Sequence, residues 1–247
     1  MILLRTVGII QARTGSKRLS NKAALFLGKR TILEILLERL RASESMNEVV
    51  VATTTNQRDD IIERIASEGR FRTFRGSEDD VLDRYYNAAR KFDAAVIVRI
   101  TADNPLTDVS LADSQARYLV ENNCDYVTTP KVLLGVGSEA ISFHALEIAW
   151  KNATERYQRE HVTPYIYENT AKFKVMYLDA PALFRQETIR LTIDRREDFE
   201  VFEALQNQFG DLVRVTTKDV IDFLLKAPQV RGINSGVQQK VYWETGD

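Results

Sequence analysis

The chain has 247 residues, enough for one large α/β domain with a full core and a small added subregion. Its 34 basic and 35 acidic residues cancel, so no overall field draws it to nucleic acid or to an anionic membrane, and any phosphate binding has to come from a local cluster. The single cysteine, Cys124, excludes an internal disulfide and, with only two histidines, builds no Cys/His zinc set.

In chain order, the apolar and partly β-branched run from Thr6 to Ala12 reads as a buried first strand that feeds a polar, cationic loop. Thr31 to Ala42 has helical spacing, with Thr31 as N-cap and Glu34 three residues on. Glu48 to Thr53 is a second buried strand, followed by a helix over Arg58 to Glu68, a short strand over Arg72 to Phe74 and a helix over Asp79 to Lys91. A strand over Ala94 to Ile100 and a helix over Ser110 to Glu121 continue the alternation, which predicts an α/β fold: a Rossmann-like, mostly parallel sheet with helices on both faces. In such a sheet the ligand lies outside the carboxyl ends of the strands, so loops starting at Arg13, Thr53, Arg75 and Thr101 are expected to converge.

Beyond Thr129 the pattern loosens, with Gly135 and Gly137 in a loop before a helix over Phe143 to Asn152. A segment near Glu160 to Asn169 has Thr163-Pro164 as cap and first helical residue. Strands near Phe173 to Leu178 and Thr188 to Thr192, helices over Arg196 to Phe209 and Thr217 to Leu225, and a tail of about fifteen residues that packs loosely or on a partner complete the expected layout, one domain over 1–247. Met1 to Arg5 lacks a charged leader and a long apolar region, and no run has the length of a membrane span, so a cytoplasmic protein without a membrane partner is expected.

The loop Gln11-Ala12-Arg13-Thr14-Gly15-Ser16-Lys17-Arg18-Leu19-Ser20-Asn21-Lys22 sets four cations, a glycine and several hydroxyls directly after the first strand. Such a loop can offer backbone N–H groups and cations to a polyphosphate, although a basic loop is also often a solvated turn. It is neither a Walker A sequence nor a dinucleotide fingerprint.

The stretch IIQARTGSKRLSNKA resembles the signature of the cytidylyltransferase family that includes acylneuraminate and 3-deoxy-manno-octulosonate cytidylyltransferases, and within it the branch named for spore-coat polysaccharide biosynthesis protein F. VVVATTTNQRDD, FRGSEDDVLDRYYNAA, VIVRITADNPLTD, REHVTPYIYEN and IRLTIDRREDFE resemble that branch in the same order, so the resemblance covers about residues 6 to 225.

It implies a cytidylyltransferase that moves CMP from CTP to a small hydroxyl-bearing acceptor, a sugar acid or related surface-polysaccharide precursor, releasing pyrophosphate. Another NTP with a sugar phosphate, or nucleotide binding without chemistry, are the alternatives. Arg13, Arg18 and Lys22 would hold the triphosphate, with Gln11, Ala12, Gly15 and Ser16 around it and Arg75, Gly76 and Ser77 toward the base or ribose. Thr101, Ala102 and Asp103 would close the nucleotide site, although the family usually has Gly-Asp where this chain has Ala102-Asp103.

Asp103 and Asp194 match the family's metal-binding aspartates and would hold Mg²⁺, which keeps several waters and bridges phosphates. On residue type alone, Asp103 is a turn residue and Asp194 a helix cap. Arg13, Lys22, Asp103 and Asp194 would be catalytic. Arg99, Glu139, Arg159, His161 and Arg190 would serve the acceptor, and 130–187 would complete that site and a homodimer.

Overall fold

The computed structural model describes residues 4–15 and 18–239. Ser16, expected at the nucleotide, and Lys17 therefore lie outside the described residues, as do 240–247 of the expected tail.

The strands and helices follow the hydrophobic pattern. Strand β1 (Thr6–Gln11) leads through a hairpin of β2 (Phe26–Leu27) and β3 (Arg30–Thr31) to helix α1 (Ile32–Leu40). Thr31 caps α1 in a full capping box: its hydroxyl accepts the Glu34 N–H at 3.2 Å and the Glu34 carboxylate takes the Thr31 N–H. Then come β4 (Glu48–Thr54), α2 (Asp60–Glu68), β5 (Arg72–Gly76), α3 (Val81–Lys91), β6 (Val96–Thr101) and α4 (Val109–Glu121).

The second half adds β7 (Tyr126–Thr128), β8 (Glu139–Ser142), α5 (Phe143–Asn152), α6 (Arg156–His161), α7 (Pro164–Tyr167), β9 (Val175–Tyr177), α8 (Arg196–Phe209), α9 (Thr217–Lys226) and α10 (Pro228–Arg231). Among the described residues no helix is long and apolar enough to cross a membrane.

The main sheet has the order β5-β4-β1-β6-β8-β7-β9. Strands β5, β4, β1 and β6 run parallel, and β8 is antiparallel to both β6 and β7. Both faces are buried, as continuous apolar strands require. Val7 and Ile9 of β1 pack with α3 and α5 on one face, while Ile10 packs with α1, α2 and α4 on the other. A third apolar cluster joins α8 and α9 to Leu27, Leu106 and Ile193 beside the carboxyl end of β6.

Two expectations are corrected. The strand near Thr188 to Thr192 does not form; this stretch makes only an isolated bridge, Leu134 to Arg190, because its backbone is shared between two loops. Leu191 N–H donates to the Leu134 carbonyl at 2.7 Å and Ile193 N–H to the Asp103 carbonyl at 2.8 Å. The tail is also not loose throughout: Asn234, just beyond a last helix over Pro228–Arg231, is buried.

Candidate active site

The loops at the carboxyl ends of β1, β4, β5 and β6 meet, and buried polar groups tie them together. The first loop is pinned at Thr14, whose N–H and hydroxyl both donate to Asp59 after β4, at 2.7 and 2.6 Å. Asp59 is wholly buried and also accepts the Thr54 hydroxyl. Burial opposes its charge, but these donors outweigh burial and hold its carboxyl below the usual range. Arg58 pairs with Glu78 on the β5 loop and lies against Gly15, where a Cβ would stand 2.5 Å from the guanidinium. A side chain there would displace Arg58.

The far end of the same loop reaches across to β6. Lys22 Nζ donates to Asp103 Oδ2 at 2.8 Å and to Asp194 Oδ1 at 2.9 Å, and Arg18 donates to the same Asp194 oxygen at 3.1 Å. Burial works against the Lys22 charge, yet the two carboxylates prevail and raise its pKa. Burial likewise disfavours ionised Asp103, but Lys22 reverses this and lowers its pKa.

Asp103 and Asp194 are 91 positions apart in the chain and are brought together by backbone pairing, through the bond from Ile193 to the Asp103 carbonyl. That approach depends on Gly135, which has φ +104° and whose added Cβ would sit 2.1 Å from the Leu191 carbonyl. Asp194 is not the cap of α8. Asp198 accepts the N–H groups of Asp194 and Arg195 at 2.9 and 3.0 Å, which leaves the Asp194 side chain to Arg18, Lys22 and Arg190.

Two carboxylates within reach of one ammonium form a hard oxygen donor pair, and among the described residues no group of three His, Cys, Asp or Glu joins them. Such a pair suits a cation that takes its other ligands from water and phosphate, as Mg²⁺ does, rather than an ion held in an all-protein cage.

Of the remaining nucleotide candidates, Gln11, Thr101 and Ala102 adjoin this point at the ends of β1 and β6, whereas Arg75, Gly76 and Ser77 lie at the end of β5, two strands from β1. Gln11 and Thr101 end β1 and β6 side by side, and Ala102 N–H donates to the Gln11 carbonyl at 3.1 Å. Ala12 is buried and Arg13 exposed at the mouth of the loop. Arg75 braces the neighbouring loops, donating to the Thr54 and Asn56 carbonyls and pairing with Asp60 and Glu63. Ser77 accepts the Asp80 N–H, while Asp80 itself caps α3. Gly76 sits tightly between Phe74 and Arg84.

Arg99, Glu139 and His161 line a cavity of about 410 Å³ with Tyr126, Tyr167 and Tyr177. Arg99 and Glu139 are opposed across β6 and β8 and form an ion pair. Glu139 also accepts the hydroxyls of Tyr126 and of Thr163, the latter at 3.0 Å. Burial and then the nearby Arg99 charge lower the His161 pKa. Burial also drives up the pKa of the Tyr126 phenol, helped by Glu139.

The other two acceptor candidates lie elsewhere. Arg159 pairs with Asp80 and donates to the Trp150 carbonyl at 2.7 Å, and Arg190 stands behind Asp194. Asp59, Asp198, Asn234, Tyr126 and Thr163 were not legible as site residues. Each acts through partners distant in sequence or, like Asp198, resembles an ordinary helix-start acid.

The protein-family profile described as cytidylyltransferase matches residues 7–219. The chain is similar to an uncharacterised protein of Methanocaldococcus jannaschii, 55% identical over 241 residues, 98% of this chain and 99% of that one. It is also similar to spore coat polysaccharide biosynthesis protein SpsF of Bacillus subtilis, 37% identical over 225 residues, 89% and 94% of the two chains. A solved cytidylyltransferase from Leptospira borgpetersenii superposes with a TM-score of 0.86 at 33% identity, covering 96% of this chain and 99% of its own. With the sheet, the loop cluster and these likenesses in agreement, the chain belongs to the cytidylyltransferase family.

Proposed function

We propose that the protein transfers CMP from CTP to a hydroxyl group of a small acceptor, a sugar acid or related surface-polysaccharide precursor, and releases pyrophosphate. The observation that carries this reading is the meeting of Lys22 with Asp103 and Asp194 at the end of the cationic first loop. A polyanion under nucleophilic attack needs positive charge at the phosphorus and on the leaving group, and this loop supplies it.

In the reaction, the acceptor oxygen bonds to the α-phosphorus while the bond from that phosphorus to the bridging oxygen breaks, and the electron pair leaves on pyrophosphate. Arg13, Arg18 and Lys22 stabilise the triphosphate and the departing group through charge-assisted hydrogen bonds. Asp103 and Asp194 would hold Mg²⁺, which when bound supplies charge at the phosphate oxygens and eases ionisation of an attacking hydroxyl. The acceptor occupies the cavity lined by Arg99, Glu139 and His161. Because His161 is held in its neutral form to lower pH than usual, it can accept the hydroxyl proton at neutral pH.

The test is incubation with Mg²⁺, each of the four NTPs and a panel of 2-keto sugar acids, sugar phosphates and small hydroxy acids, with products read by mass. A CMP adduct formed from CTP with one acceptor class supports the reading. An adduct from a different NTP, or CTP binding without any adduct across the panel, would overturn it.

A further inference from the structure

We infer that Arg190, Asp198 and Asn234 form a positioning relay behind Asp194, through which the C-terminal segment governs how tightly the metal–nucleotide pair is bound; this rests on the reading of Asp194 given above. The two Asp194 oxygens have different partners. Oδ1 faces Arg18 and Lys22, whereas Oδ2 takes Arg190 Nη2 at 3.1 Å. A grip on one oxygen fixes rotation of the carboxylate, and so keeps the other turned toward the site.

Arg190 is itself held. Asp198, wholly buried, takes Arg190 Nε at 2.8 Å and Nη2 at 3.3 Å, on different oxygens. The same carboxylate accepts the Asp194 backbone N–H, so it fixes both the main chain and, through Arg190, the side chain of Asp194. One guanidinium thus serves two carboxylates, and the division depends on what else Asp198 receives.

Asn234 supplies that. It is 4% exposed, and its amide nitrogen donates to Asp198 Oδ1 at 2.9 Å and to the Arg190 carbonyl at 3.1 Å. Gln239 from the same segment accepts from Arg190 Nη1 at 2.5 Å. The family match ends at residue 219, so these donors and acceptors come from a stretch beyond it. Without the Asn234 amide, buried Asp198 lacks a donor and competes for Arg190, loosening the hold on Asp194.

The experiment measures CTP binding by calorimetry, with and without Mg²⁺, on the full chain and on Asn234→Ala, Asp194→Asn and their double variant, with thermal melts as a check on folding. Asn234→Ala is expected to weaken Mg²⁺-dependent CTP affinity about 10-fold, to leave metal-free CTP affinity within about twofold, and to add nothing in the Asp194→Asn background. Arg190→Lys, which keeps Asn234 on Asp198 and on the backbone carbonyl at position 190 while breaking the forked hold on the two carboxylates, is expected to give the same pattern. Equal losses in both backgrounds, or no loss in the wild-type background, would overturn the relay while leaving Asp194 in its role. If Asp194→Asn binds CTP with Mg²⁺ as tightly as wild type, the reading of Asp194 fails and the relay with it.

Discussion

Asp59 and Lys22 hold the two ends of the first loop by opposite means. Asp59 anchors its start through Thr14, and Lys22 ties its end to Asp103 and Asp194. Asp59→Asn replaces an oxygen acceptor with an amide that cannot accept from every present donor, leaving a buried group unmatched at a cost of about 1–3 kcal/mol. We expect a lower melting temperature and, in the folded fraction, a raised KM for CTP with a smaller change in kcat. An unchanged KM would mean that the anchor does not position the loop. The cations of this loop were legible because they follow a buried strand. Asp59 was not: its partner Thr14 is 45 residues away, and in sequence it is one acid in a polar turn before a helix. Asn234 was hidden for the same reason, 36 residues from Asp198.

At the scale of elements, the stretch leading to Asp194 shows how a site can depend on a place where regular structure fails. Expected as a strand, 188–192 instead divides its hydrogen bonds between the Leu134 and Asp103 loops, and this places the two aspartates side by side. Periodicity cannot reveal it, because an apolar alternating run looks alike whether its partner is a strand or a loop. Gly135 is the hinge of that arrangement, with a positive φ and no room for a Cβ. Gly135→Ala should therefore cost several-fold more stability than the roughly 1 kcal/mol of an exposed helical Gly/Ala exchange, and should reduce CTP binding in whatever protein remains folded. Denaturant unfolding with parallel CTP titration measures both, and wild-type values in each would contradict the account. Helices α1 to α5, α8 and α9 and the four parallel strands were legible to within a few residues, since both sheet faces are buried and Thr31 caps α1; α6 and α10, six and four residues long, were not. Strands β7 and β8 were not, being three and four residues long.

For the molecule as a whole, the buried polar groups predict how stability changes with pH. The folded pKa of His161 is below its ordinary 6.5, through burial and then Arg99, so the unfolded chain takes up that proton first and stability declines as pH falls below 6.5. Asp59, Asp113 and Asp198 have folded pKa values below 3.8: burial opposes their ionisation, but Thr14, Ser43 and Arg190 respectively lead the groups that overcome it. Their contribution is present above pH 3.8 and is lost as pH falls through the lower folded values. Urea unfolding across the acid range should show a shallow loss in the first window and a steeper one in the second, with only the shallow one removed by His161→Gln. A single acid transition unchanged in that variant would contradict the His161 environment described here.

The same architecture gathers the first loop, the Asp103 turn and the Asp194 segment at one end of the sheet, and the proposed chemistry stands on that gathering. The most direct measurement is the rate of pyrophosphate release from CTP with Mg²⁺ and the acceptor panel, comparing wild type with Asp103→Asn and Asp194→Asn. CTP-dependent release is expected to fall at least about 100-fold in each variant, measured on protein that still melts cooperatively, with Asp194→Asn melting lower because buried Lys22 and Arg190 lose a carboxylate. Release at the wild-type rate in both variants would contradict it.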